Sequence, residues 1–246
     1  MQPIKIRGIV VRSTDVGDYN KMLTVLSGEK GRISIWAKGV KSPKSKMAAA
    51  CSLLCYSEFV VTARGDNFTL SQATVIESFY HLREDIEKLS CAVYFAELAV
   101  SVCQEECGAE DVIRLLLNSL YFLEKGLKSI NSMRAMFELR LLAAAGFMPD
   151  LNECTVCFSK DNLKFVSPFM GGAVCGGCVA PGRIKTETHV LFVMQRILSS
   201  DLKGAFSYNF DDDTAEKVLN INEKFILEYI GFLPKTLDYL KSLGGI

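Results

Sequence analysis

The chain has 246 residues, 49% of them hydrophobic and 23% charged, enough apolar side chain for one substantial core or two modest ones, which excludes wholesale disorder. Its 28 basic and 28 acidic side chains cancel, so no global field recruits a polyanion and a nucleic-acid role must rest on local asymmetry. That asymmetry sits at the amino end: residues 1–50 hold ten basic side chains and three acidic ones, a net +7 that leaves −7 for the rest.

The longest charge-free stretch, Phe165 to Gly182, is rich in Gly and Pro and would make a poor membrane-spanning helix, so no membrane span is expected. Met1-Gln2-Pro3-Ile4 runs straight into an alternating pattern with charged residues, which leaves no room for a signal peptide's apolar stretch; a cytoplasmic protein is expected. Nine cysteines are an odd number. Cys51, Cys55, Cys91, Cys103 and Cys107 lie in apolar helical surroundings, where reduced thiols are buried, so a disulfide scaffold is not expected.

The first eighty residues read as strands: Ile4 to Arg12, Lys21 to Leu26, Arg32 to Lys38, Glu58 to Arg64 and Phe68 to Ile76. Ser27-Gly28-Glu29-Lys30-Gly31 is the turn between the second and third, and Gly65-Asp66-Asn67 joins the last two as a hairpin. In the third strand a period of two places Ile33, Ile35 and Ala37 on one face and Arg32, Ser34, Trp36 and Lys38 on the other. A basic loop, Lys38 to Lys46, and a helix-compatible segment, Met47 to Leu54, follow. Five strands with a helical insert between the third and fourth are the order of an OB-type barrel, whose open face commonly takes single-stranded nucleic acid.

From about His81 the period becomes helical. Ile86, Leu89, Val93, Ala96, Val100, Cys103 and Cys107 predict one buried stripe on a long helix, and Val112, Leu115, Leu116, Leu120 and Leu123 predict a second ending near Gly126. Asn131-Ser132 offers the cap of a third helix, Met133 to Ala145, which stops at Gly146. Further helices are predicted at Thr188 to Ser200, at Thr214 to Phe232 behind Asp211-Asp212-Asp213, and at Lys235 to Leu243.

Two motifs carry chemistry. Cys154-x2-Cys157 and Cys175-x2-Cys178, separated by seventeen residues, have the spacing of a four-thiolate zinc site. With all four positions filled by sulfur no coordination site stays open, so one zinc ion would staple the fold and not activate water. The alternative for these thiols is a vestigial cluster or a redox disulfide pair. The second motif is cationic and aromatic: Trp36, the only tryptophan, shares a strand face with Arg32 and Lys38, and Lys41, Lys44 and Lys46 follow in the loop. A stacking platform beside phosphate-binding cations is how a protein grips a single strand. Its alternative is a Trp36 that plugs the barrel or the domain junction and lysines that only solubilise a loop.

Other motifs fail. Arg64-Gly65-Asp66 is explained as a hairpin turn, Gly28-Glu29-Lys30-Gly31 lacks the full phosphate-loop pattern, and His81 and His189 stand alone. Cys103 and Cys107, one helical turn apart, could chelate a metal, but their place in the apolar stripe favours packing. No cluster of carboxylates or histidines marks an active site, which argues against a nuclease or any other enzyme.

The residues also carry a family likeness. Gly8-Ile9-Val10-Val11-Arg12, Gly31 to Lys41 and Pro43-Lys44-Ser45, then Phe79 to Ile86 with Tyr94 to Leu98, and Phe137 to Leu142 with Gly146 to Leu151 just before Cys154, together resemble the bacterial recombination-mediator family RecO. The resemblance spans most of the chain and is weak beyond about residue 200. It implies a non-catalytic, nucleoid-associated protein that binds single- and double-stranded DNA and anneals complementary strands. With its partner RecR it would help RecA displace single-strand binding protein, whose acidic carboxy-terminal tail docks on the helical domain. Carried over, the DNA-contacting set is Arg12, Arg32, Lys38 and Lys41, with Lys44 and Lys46 as neighbours. Family members often have Arg where this chain has Lys41, which keeps the charge and loses the planar fork. Many lack the four cysteines, in keeping with a stapling role for the metal.

The expected protein is therefore α+β: an OB-fold DNA-binding barrel at 1–80, then an all-helical domain at 81–246 with a four-cysteine zinc insert at about 150–182. The rival reading is a zinc-stapled adaptor whose barrel docks an acidic protein.

Overall fold

The computed structural model describes residues 2–64, 67–105 and 107–244. Contacts divide the chain into two compact units, Met1–Glu124 with Asp238–Ile246, and Lys125–Leu237. Among the described residues no helix is long and apolar enough to cross a membrane.

The first unit is built on five strands, β1 (Ile4–Val16), β2 (Asn20–Ser27), β3 (Gly31–Ala37), β4 (Tyr56–Arg64) and β5 (Asn67–Glu77). They close into a barrel in the order β1-β2-β3-β5-β4, the OB-type arrangement expected from the strand order, with β3 and β5 parallel and the other pairs antiparallel. Of the expected hairpin turn at Gly65-Asp66-Asn67, and of the Arg64-Gly65-Asp66 tripeptide, Gly65 and Asp66 lie outside the described residues. The alternation in β3 holds residue by residue: Ile33, Ile35 and Ala37 are buried, and Arg32, Ser34 and Trp36 are only half covered. The inner residues join Ile6, Val10, Leu23, Val25, Phe59 and Val61 in the barrel core.

Met47 to Leu54 does not form the short helix expected. It is a run of turns in which one helical bond, Cys51 N–H to Met47 C=O at 3.1 Å, gives way to shorter-range bonds at Ser52 and Cys55. Leu54 takes a left-handed φ of 63°, which ends helical propagation, and its N–H donates to Val10 C=O at 2.7 Å. The run thereby places Ala50 and Cys51 in the barrel core. Burial pushes the Cys51 thiol up to about 12, so it is a packing group and not a nucleophile.

A single 3₁₀ turn (Tyr80–Glu84) leads into α1 (Ile86–Val102), capped by the Asp85 carboxylate, which accepts from the Glu87 and Lys88 N–H groups. The buried face of α1 differs from the expected stripe. Cys91, Ala92, Tyr94, Phe95, Leu98 and Ala99 are buried while Ile86 is exposed, because the helix is apolar nearly all round and its period does not single out one face. The helix also stops at Val102. Cys103 is its extended C-cap, and Cys107 lies beyond the helix as an exposed thiol, so the expectation that it is buried on a helical stripe is corrected.

The connector after α1 turns back onto the barrel instead of continuing as helix. Arg32 N–H donates to Gln104 C=O at 3.1 Å and Ala109 N–H to Gly28 C=O at 2.8 Å, after which α2 (Glu110–Lys125) buries Val112, Leu115, Leu116, Leu120 and Leu123 as expected. Gly31 makes this docking possible. Its φ is +62°, and a Cβ there would lie 2.3 Å from the carbonyl oxygens of both Gln104 and Cys107.

In the second unit α3 (Ile130–Ala144) is capped by Ser129, whose hydroxyl accepts from Ser132 N–H, and not by Asn131-Ser132. A small sheet follows, β6 (Leu163–Ser167), β7 (Gly172–Cys175) and β8 (Ile184–Lys185), in the order β7-β6-β8. Then come α4 (Thr188–Ser199), α5 (Leu202–Ser207), α6 (Asp212–Tyr229) and, running on past this unit, α7 (Lys235–Gly244). The sheet and α5 are additions to the sequence reading; the other helices match it. Between α3 and α6 the buried Arg134 guanidinium pairs with Glu138 and Glu223, each at 3.3 Å, and Asn222 donates to Ala135 C=O at 2.9 Å. Removing one member of such a group is strongly destabilising, because it strands a buried charge.

Gly31→Ala should destabilise the protein by about 2 kcal/mol or more, since it adds left-handed strain to a backbone collision. Denaturant unfolding followed by circular dichroism measures it; an unchanged midpoint would contradict the docking described.

Candidate nucleic-acid interface and metal centre

The register of the barrel decides which side chains share its outer surface. Arg12 of β1 stands opposite Thr24 of β2, which stands opposite Ser34 of β3. The next row is Thr14, Met22, Trp36 and, across the parallel pairing, Thr69 of β5. A bulge in β1 between Val10 and Arg12 sets this alignment by turning Arg12 to the outside. Trp36 therefore lies on the outer wall, half-buried between Met22 and Thr69, and does not plug the barrel.

The cations singled out in the sequence fall into two groups. Arg12, Lys38, Lys44 and Lys46 are exposed and have no carboxylate partner among the described residues. Arg32 and Lys41 are engaged: Arg32 donates to Glu105 at 3.1 Å and Lys41 to Asp15 at 2.7 Å. The Lys41 ammonium, by hydrogen bond and charge, holds the Asp15 carboxyl below its usual range. Both pairs are open to solvent, where such pairs contribute little to stability.

Sequence reading missed the acids of these pairs and an aromatic beside them. Tyr19, in the turn between β1 and β2, is exposed, and its carbonyl accepts from Lys41 N–H at 3.0 Å. A long-range side-chain bond adds a second tie, Gly39 N–H to Asn20 Oδ1 at 2.9 Å, with Gly39 at φ +69°. The turn and the start of the basic loop are thus clipped together. The only local signal for Tyr19 was an aromatic residue in a turn.

A separate groove of about 340 Å³ on the first unit is lined by Arg7 and Arg114 but also by Glu29 and Glu110, a mixed lining that does not match a polyanion. The exposed rings of His81 and His189 lie beside surface carboxylates, Glu84 at 3.1 Å and Glu187 at 3.5 Å.

In the second unit the four cysteines of the spaced pairs meet. The sulfurs of Cys154, Cys157, Cys175 and Cys178 all lie within 4.8 Å of one another, and Cys157 Sγ and Cys175 Sγ are 3.7 Å apart. Each pair is bent by a tight turn: Phe158 N–H donates to Cys154 C=O at 2.8 Å, and Cys178 N–H to Cys175 C=O at 3.3 Å. Cys175 N–H also donates to Cys154 Sγ at 3.3 Å, and the Arg183 guanidinium holds the second turn through Cys178 C=O. Burial opposes ionisation of Cys154, but the N–H groups of Cys175, Cys157 and Val156 outweigh it and bring its thiol down to about 6. The neighbouring thiols of Cys157 and Cys175 push Cys178 up to about 12. Four sulfurs this close ionise together only around a cation, and these residues could hold one metal ion.

A cation-bearing OB-type barrel followed by helices that carry a four-cysteine cluster defines a small-barrel protein with a metal-capable module. Comparison with known proteins narrows the class. The family model described as recombination protein O N terminal matches residues 1–79, and that described as recombination protein O C terminal matches residues 83–238. The DNA repair protein RecO of Acetivibrio thermocellus is 32% identical over 250 residues, covering 100% of this chain and 99% of the relative. That of Caldicellulosiruptor saccharolyticus is 35% identical over 245 residues, covering 99% and 100%. That of Halalkalibacterium halodurans is 28% identical, covering 98% and 96%. The chain belongs to the RecO family of DNA repair proteins.

Treatment with a strong chelator, or substituting Cys154→Ser, should unfold at least residues 150–182, because metal binding at such sites is worth on the order of 10–16 kcal/mol in peptides. Thermal melting with elemental analysis measures it. One metal ion per chain and a melting point that falls on its loss are expected; a metal-free protein with the same melting point would contradict the assignment.

Proposed function

We propose that this protein is a non-catalytic recombination mediator that holds DNA, single- and double-stranded, on the outer wall of its barrel. The observation that carries the reading is the row geometry: Arg12 and Trp36 share the outer face across β1, β2 and β3, and the loop that follows β3 exposes Lys38, Lys44 and Lys46 without carboxylate partners among the described residues. Phosphates neutralise the cations and displace Asp15 and Glu105 from Lys41 and Arg32, while a base stacks on the exposed part of Trp36. Gripping one strand by its backbone leaves base edges free, so a complementary strand can pair and annealing needs no covalent step.

In this reading residues 1–80 are the DNA-binding barrel and 81–246 a helical domain with the metal insert at about 150–182. Membership of the RecO family supports the partners: RecR, the acidic tail of single-strand binding protein, and RecA indirectly, in the cytoplasm at the nucleoid. The metal is zinc. A tetrahedron with metal–sulfur bonds of about 2.3 Å has edges of about 3.8 Å, and the 3.7 Å between Cys157 and Cys175 fits it. Cys154, Cys157, Cys175 and Cys178 would hold it, and its chemistry there is structural.

Replacing Lys38 and Lys41 together by Glu should abolish measurable binding of a single-stranded oligonucleotide at moderate salt. For the unaltered protein, phosphate contacts from the six cations of this interface give a log–log salt slope of about −4.2, at roughly 0.7 per contact. Unchanged affinity in the double variant would overturn the DNA-contact assignment, and a slope near zero would favour the adaptor reading.

A further inference from the structure

Tyr19 has no explanation in the fold. Its side chain is on the rim of the barrel, the residue is 58% exposed, and among the described residues neither its ring nor its hydroxyl has a partner. Singly exposed rings are common on protein surfaces, but this one is set beside a cationic loop.

Its backbone, by contrast, is held firmly. Tyr19 C=O takes the Lys41 N–H, the adjacent Asn20 side chain takes the Gly39 N–H, and Asp15 at the end of β1 takes the Lys41 ammonium. Three bonds thus fasten the turn that holds Tyr19 and its two flanking strand ends to the segment that carries Lys38 and Lys41. The neighbouring acids do not cancel this charge. Asp15 is taken up by Lys41, which leaves Asp18 against Lys38, Lys44 and Lys46.

Tyr19 belongs to the turn that leads into β2, three residues before Met22, which stands opposite Trp36.

We infer that Tyr19 is a second base-stacking platform, fixed by the turn-to-loop clip and flanked by Lys38 and Lys41, whose occupant is an unpaired nucleobase of a single strand. The inference rests on the proposed barrel interface and extends it from one platform to two. Two rings hold a strand at two points, where one ring among cations holds it at one.

The test uses the full-length protein with Tyr19→Ala and Tyr19→Phe, a fluorescent oligothymidylate, and an abasic oligonucleotide of the same length and charge. Stacking is lost with the ring and kept with Phe, so Tyr19→Ala should weaken oligothymidylate binding at least about fivefold while Tyr19→Phe does not. The affinity for the abasic strand and the salt slope should stay as in the unaltered protein, since no cation is removed. If Tyr19→Ala binds oligothymidylate as tightly as the parent while Lys38→Glu with Lys41→Glu does not, the second platform is overturned and the barrel interface stands. An equal loss on both strands would also overturn stacking. If the parent itself binds neither strand, both readings fall.

Discussion

Strand β3 is bonded to β2 along its whole length and, through Ile35 and Trp36, to β5, and that double pairing fixes which of its faces meets water. Ile33, Ile35 and Ala37 are committed to the core, so Arg32, Ser34 and Trp36 are committed to the wall. A slip of one residue would bury a guanidinium and an indole and expose three apolar side chains, an exchange that no other part of the barrel could offset. The outer rows, Arg12 to Ser34 and Thr14 to Thr69, inherit their order from this constraint and from the bulge in β1.

The proposed interface relies on charges that can exchange partners. The pairs Asp15–Lys41 and Arg32–Glu105 lie in solvent, where an ion pair is worth little and salt screens it, so a phosphate can replace either carboxylate at small cost. The ion group at Arg134 is of another kind. It is closed inside the helical unit, where the same chemistry serves structure. The thiols divide in the same way. Cys51 and Cys103 are pushed up by burial and pack, while the four sulfurs of the spaced pairs converge on one point.

Much of this was legible in the sequence because it is local. Period-two alternation in β3 survives any packing, and paired Cys-x2-Cys turns announce their cluster by spacing alone. Helix α1 was misread because Cys91, Tyr94, Phe95 and Leu98 make it apolar on several sides, so that spacing from Ile86 picked the wrong face. The sheet of β6, β7 and β8 has strands of two to five residues in a glycine-rich segment, too short to show a period. Ser129 displaced Asn131-Ser132 as a cap because the first helical turn starts earlier than the apolar pattern does. The ties from Glu105 to Arg32 and from Asp15 to Lys41 join distant residues, and no local signal reports such pairs.

As the only tryptophan, Trp36 reports on the wall without a label. Titrating the protein with an unlabelled single-stranded oligonucleotide while recording tryptophan emission, with anisotropy of a labelled strand in parallel, tests the central claim most directly. A saturable change in emission that follows the anisotropy curve and reverses with added salt is predicted. Binding seen by anisotropy with the emission unmoved would place the DNA elsewhere on the molecule and contradict the account.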